Sequence, residues 1–153
     1  MADIGENYVK FCFEEQGYVI EQTMSKADVF ASKSNLGVVI EEKDWKDPVV
    51  VDKNKIYQLA VNGKRYRQDR AQVVDYAFKI KQQDMAKGNY RFIVAAFVFS
   101  NLQGRRVQPI FFRKYGTIFC VAKEYFPTWL KSLERTYLGM PAMETTSQYT
   151  GGK

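Results

Sequence analysis

Apolar and polar positions change their period several times along the chain, and each change marks an element. From Asp3 to Gln16, Ile4, Tyr8 and Cys12, with Val9 and Phe13, recur at helical spacing and give one apolar face. Asp3 is placed to cap this helix, Glu6 falls at the third helical position of a capping box, and Gly17 supplies the stop. Tyr18 to Gln22 reads as a short strand. Between Ala27 and Asp44 the pattern gives two more short strands, joined at the polar, Gly-containing break Ser34-Asn35-Leu36-Gly37. Side chains alternate across a strand, so Val39, Glu41 and Lys43 share one face while Val38, Ile40 and Glu42 share the other.

Asp44 to Lys64 has no clear period. Pro48 rules out a central strand, Asn62-Gly63 is a turn signal, and the segment is expected to be an irregular excursion, with or without a short hairpin. Trp45, within it, is expected to fill core beneath the strand end. Arg65 to Lys87 is predicted as a helix, with Val73, Ala77 and Ile80 forming one buried stripe and Gln72 and Tyr76 four apart on the next. Arg91 to Ser100 is a continuous apolar run, as in a strand covered on both faces. Asn101 to Arg106 is a polar loop, Val107 to Arg113 and Thr117 to Ala122 are strands, and Glu124 to Leu138 is a closing helix with Trp129, Leu130, Leu133 and Tyr137 on its apolar face. Residues 139–153 turn small and polar, the pattern of a flexible tail. The order of elements predicts an α/β fold in which a mixed central sheet is flanked by helices, formed by one domain over residues 1–138.

Composition narrows the chemistry. A chain of 153 residues with 15% aromatics is long and apolar enough to bury a full core. No apolar run reaches the roughly 20 residues needed to cross a bilayer, and no signal peptide opens the sequence, so a cytoplasmic protein without a membrane partner is expected. Cys12 and Cys120 both lie inside apolar patterns and read as buried thiols; two cysteines are too few for a structural zinc site or an iron–sulfur cluster. Histidine is absent, which removes His-dependent hydrolases, His-ligated zinc enzymes and haem–His proteins together. Chemistry at this chain's disposal is that of carboxylates, Lys, Tyr and oxygen-bound metal. A net charge of +6 mildly favours a polyanionic partner.

An acid and a lysine two residues apart, Glu41 and Lys43, stand side by side at the exit of an apolar strand, and Asp28 reaches the same spot if its strand pairs with theirs. Two carboxylates and an ammonium gathered there would suit a divalent cation and a water. Asp28 followed by Glu41-Glu42-Lys43 resembles the Asp…Glu-x-Lys signature of the PD-(D/E)xK nuclease superfamily, with Ala27 where that signature usually has Pro. Gln72-Val73-Val74-Asp75-Tyr76 is similar to the Gln-x-x-x-Tyr element of its RecB-like branch of exonucleases, without the iron–sulfur cysteines of that branch's cluster-bearing subtype.

The resemblance implies a restriction-endonuclease-like fold and a metal-dependent DNA nuclease. Asp28 and Glu41 would hold Mg²⁺ or Mn²⁺, Lys43 would assist the attacking water, and Gln72 and Tyr76 would position the phosphate backbone. It also implies a metal-side or structural role for a glutamate of the first helix, here Glu6, for which capping is the simpler reading. Arg65, Arg67, Arg70 and Lys79, with Tyr76 interleaved, would neutralise phosphates without reading sequence. Endonuclease, exonuclease and junction resolvase are not separated by these residues, and homo-oligomerisation stays open. A non-catalytic nucleic-acid-binding module on the same fold and an assembly protein with a basic face are the competing expectations.

Overall fold

The computed structural model of the chain describes residues 4–21, 28–60, 73–113 and 116–139, without the side chains of residues 4–6, 60, 73–76, 79 and 85. Among the described residues it is an α/β protein with a six-stranded mixed sheet and four helices. In chain order these are α1 (Ile4–Glu15), β1 (Val19–Ile20), β2 (Val29–Lys33), β3 (Leu36–Lys43), α2 (Lys53–Ala60), α3 (Val73–Lys87), β4 (Phe92–Phe99), β5 (Val107–Phe112), β6 (Gly116–Ala122) and α4 (Phe126–Leu138). The strands lie in the order β1-β2-β3-β4-β6-β5. β1, β2 and β3 form an antiparallel meander, β3, β4 and β6 run parallel, and β5 returns antiparallel along β6.

The alternating positions of the central strands divide the core into two layers. On one face Val29, Ala31, Val38, Ile40, Val94, Ala96, Val98 and Val121 meet Val9, Cys12 and Phe13 of α1 and Phe126, Trp129, Leu130 and Leu133 of α4. On the other, Phe30, Val39, Ala95, Phe97, Phe99, Ile118 and Cys120 meet Ile56 of α2 and Ala77 and Ile80 of α3. β3 and β4 are therefore covered on both sides, which is the condition under which a parallel pair is stable and under which strands lose their polar face.

The expected elements are largely present, with the main difference in the segment after β3. Where an irregular excursion is expected, Lys53 to Ala60 is helical. Asp52 caps it, its Oδ2 accepting from the Lys55 N–H at 3.4 Å, and Ile56 and Leu59, three apart, turn into the core. The flanking valines and the Asn-Gly signal obscure this short period in the sequence. The loop before it is pinned to the far end of β4 by a parallel bridge between Val49 and Leu102. The closing helix also begins later than expected, since Lys123–Tyr125 form a 3-10 turn and Pro127 occupies the first turn of α4. Residues 61–72, which hold the Asn62-Gly63 turn signal and the start of the expected second helix, lie outside the described residues, as do Asp3 and the tail from residue 140.

The β2–β3 turn is tighter than expected: Lys33 pairs with Leu36, leaving Ser34 and Asn35 as a two-residue turn with Ser34 at φ 55. Gly37 is thus already inside β3, and its lack of a side chain has a packing cause. A Cβ at Gly37 would meet Ile93 Cδ1 at 2.8 Å and Phe30 Cε1 at 2.9 Å. The Phe30 ring is itself held edge-on against Tyr90, with centroids 5.5 Å apart. Gly37→Ala is expected to lower stability by about 1–3 kcal/mol through overpacking, read as a lower urea midpoint at unchanged m-value.

Both thiols are free and buried. Burial pushes the Cys120 thiol up from 9.0 to about 12 and raises that of Cys12 as well. Burial, followed by hydrogen bonds with Cys12 and Glu21 respectively, pushes the phenols of Tyr8 and Tyr90 from 10.0 to about 12. The unfolded chain therefore gives up these protons at lower pH than the folded one. Their contribution is complete below about pH 9 and is lost progressively as pH rises towards 12. Urea unfolding between pH 8 and 11 should show falling stability, and Cys120→Ala should make the decline shallower.

Candidate functional site

β2 and β3 determine where the acidic residues meet. Their ladder ends at Val29↔Ile40, and one step past that pair stand Asp28 and Glu41. Directly opposite residues of an antiparallel pair project to the same face. Asp28 Oδ2 accepts the backbone N–H of Glu42 at 2.6 Å, which puts its carboxylate at the Glu41–Glu42 peptide. On the same face Lys43 Nζ donates to Glu41 Oε2 at 3.2 Å. Glu41 is only 4% exposed, so a solvated strand end does not describe it. Removing a carboxylate from water is costly, and an adjacent ammonium offsets that cost only in part.

Glu42 is buried as well, but on the opposite face, because the pleat turns successive side chains to opposite sides. Of the two neighbouring glutamates, Glu41 belongs to the layer of α2 and α3 and Glu42 to that of α1 and α4. Among the described residues no group of three or more Asp, Glu, His or Cys side chains is arranged to hold a metal. The carboxylates that strand register places opposite one another at this end are those of Asp28 and Glu41. Hard oxygen donors of this kind suit Mg²⁺, which keeps several waters and takes one or two protein carboxylates.

The segment leaving β3 forms one wall of the site. The Ser100 N–H donates to the Lys43 carbonyl at 3.2 Å, Ser100 Oγ donates to Asp44 Oδ1, and Asn101 Nδ2 donates to the Lys46 carbonyl at 2.6 Å. Trp45, between these anchors, is not the core filler expected from sequence. Its indole is 39% exposed, with the Lys43 ammonium 5.8 Å from the ring centre and the Phe99 ring 5.8 Å away on a tilted plane.

The helices around this end of the sheet follow from chain direction. The Arg91 and Phe92 N–H groups bond to the Asn35 carbonyl, so the chain enters β4 beside the start of β3. α3 therefore ends near the start of β3 and begins near its exit, and a helix of 15 residues spans about 22 Å, comparable with β4. The backbone of Tyr76 lies in the first turn of α3, on the sheet face that carries Glu41; its side chain and that of Lys79 lie outside the described residues. Gln72, Arg65, Arg67 and Arg70 lie wholly outside them.

α1 packs on the other face. Its Tyr8 ring lies 5.6 Å from the ammonium of Lys123, which follows β6, so the N-terminal half of α1 is at the same end of the sheet as Glu41–Lys43. Glu6, whose backbone is in the first turn of α1, has a side chain outside the described residues. Lys46, Arg105, Arg106 and Lys123 also stand at this end, since the loops after β3, β4 and β6 all open here. The sequence pattern places a run of positive charge on the second helix and gives no sign that these cations lie together, because only the parallel pairing of β3, β4 and β6 gathers them.

Comparison of the chain with known protein families, curated sequences and solved structures gives no match. Asp28→Ala removes the acceptor for the Glu42 N–H and is expected to cost about 1–3 kcal/mol. Asp28→Asn, which keeps an acceptor oxygen, should cost less than half as much, measured by chemical denaturation of the two variants side by side.

Proposed function

We propose that the chain is a metal-dependent nuclease that hydrolyses DNA phosphodiesters, built on a restriction-endonuclease-like fold. The observation that carries this reading is the meeting of Asp28 with the Glu41–Glu42 peptide while a buried Glu41 pairs with Lys43 at a strand exit. Burying a carboxyl group beside a lysine is a poor way to gain stability and a common way to build a reactive site. The element order supports the same reading: a helix, a three-stranded antiparallel meander, then a helical connection to a strand parallel to the third.

A phosphodiester is anionic and repels hydroxide, so its cleavage requires charge neutralisation and a positioned water. Asp28 and Glu41 would hold Mg²⁺ or Mn²⁺, which when bound polarises the phosphate and acidifies a water. Lys43, held by Glu41 at 3.2 Å, orients the attacking water and stabilises the charge on the oxygens of the pentacoordinate transition state. In this reading Gln72 and Tyr76 hold the scissile strand, and Arg65, Arg67, Arg70 and Lys79 neutralise flanking phosphates without reading bases. Lys46, Arg105 and Arg106, at the strand-exit end, would add further phosphate contacts.

Purified protein incubated with linear, circular and branched DNA, with Mg²⁺, Mn²⁺ or chelator, should cleave only when metal is present. Glu41→Gln and Lys43→Ala should each lower the cleavage rate by about 10²–10⁴-fold. Metal-independent cleavage, or full activity in both variants, would refute the assignment, and the topology of the substrates cut distinguishes end-dependent from internal hydrolysis.

A further inference from the structure

We infer that Trp45 is a stacking platform for an unpaired nucleobase, so that the substrate is DNA with a single-stranded or splayed end. This rests on the nuclease reading for the phosphate beside Lys43. Of the two tryptophans, Trp129 is 2% exposed and packs in the core, whereas Trp45 is 39% exposed. The exposed indole is not on a loose loop. Lys43, Asp44 and Lys46, the residues around it, are each hydrogen-bonded to Ser100 or Asn101 at the exit of β4. A large flat ring is thus held in place while much of its surface faces water, the arrangement of a preformed contact surface.

Its position says what would cover it. Lys43 Nζ is 5.8 Å from the centre of the indole and 3.2 Å from Glu41 Oε2. A base on the indole and a phosphate at the Glu41–Lys43 pair would therefore belong to the same nucleotide or to neighbours. The Lys43 ammonium beside the indole favours the anionic backbone of a nucleotide whose base stacks on the exposed part of the ring. In a duplex the faces of the bases are covered by adjacent pairs and proteins reach only their edges in the grooves. A π-face is open only in single strands and frayed or splayed ends, where stacking on an aromatic side chain tolerates every base. The platform consequently selects for strandedness and not for sequence.

The test uses the full chain in chelator, so that binding is read without cleavage. A thymidine oligonucleotide of about 12 nucleotides, within the range bound by such platforms, is compared with a blunt duplex of equal length by tryptophan fluorescence and by anisotropy of labelled DNA. The single strand should quench the exposed tryptophan, and Trp45→Phe should abolish the quenching while keeping most of the affinity. Trp45→Ala should weaken single-strand binding by about 5- to 150-fold and leave duplex binding unchanged. Single-strand binding without quenching, or equal losses on both DNAs in Trp45→Ala, would overturn the proposal. Quenching by single strands without cleavage in Mg²⁺ would uphold the platform and sink the hydrolytic reading, whereas cleavage without quenching would do the reverse.

Discussion

The burial of β3 on both faces is the constraint from which most of this architecture follows. A strand hydrogen-bonded on either side and covered by helices above and below has no polar face, so Val38, Val39 and Ile40 are fully buried in succession. Its last three residues, Glu41, Glu42 and Lys43, continue the same pleat. Two neighbouring carboxylates are therefore driven into different helix layers, and only Glu41 shares a face with Lys43. Spacing by two becomes chemical adjacency because the strand is regular to its end.

Parallel pairing then decides what surrounds that pair. β3, β4 and β6 run in one direction, and in such sheets the loops following the strands collect at one end, where ligands are ordinarily bound. Here those loops bring Trp45, Ser100, Asn101, Arg105 and Lys123 to the end where Asp28 meets Glu41. The tether between the segment after β3 and the exit of β4 keeps this wall in register with the carboxylates.

A second lysine–glutamate contact, at the turn end of the same hairpin, has a different character. Lys33 Nζ lies 3.3 Å from Glu134 Oε1 of α4, donates to the Gln16 carbonyl at 2.8 Å, and sits 5.6 Å from the centre of the Tyr18 ring. Gln16 in turn donates through Nε2 to the Pro127 carbonyl at 2.9 Å. Burial, and then the charge of Glu134, raises the Tyr18 phenol above its ordinary range. This lysine, on β2, is held by Gln16 and Tyr18 of the segment between α1 and β1 and by Glu134 of α4, and so ties that segment and α4 to the sheet. Lys43, by contrast, has its carboxylate partner on its own strand and an exposed ring beside it. The two ends of one hairpin thus carry two ion pairs of different setting, one bridging the sheet to α4 and one within a single strand.

Local pattern was enough to locate the strand holding Glu41 and Lys43, the run of β4 and the amphipathic faces of α1 and α4, because each depends on a side-chain period of two or 3.6 residues. The alternation also sorted Glu41 with Lys43 and Glu42 against them. α2 is not legible because, among its described side chains, Ile56 and Leu59 face the core and Tyr57 packs against Phe112, a pattern that sets no helical period against the flanking valines. The meeting of Asp28 with the Glu42 N–H, the exposure of Trp45 and the gathering of Lys46, Arg105 and Arg106 were decided only by tertiary structure. They depend on the register of β2 against β3 and on the parallel order β3-β4-β6, relations between segments far apart in the chain that no local period encodes.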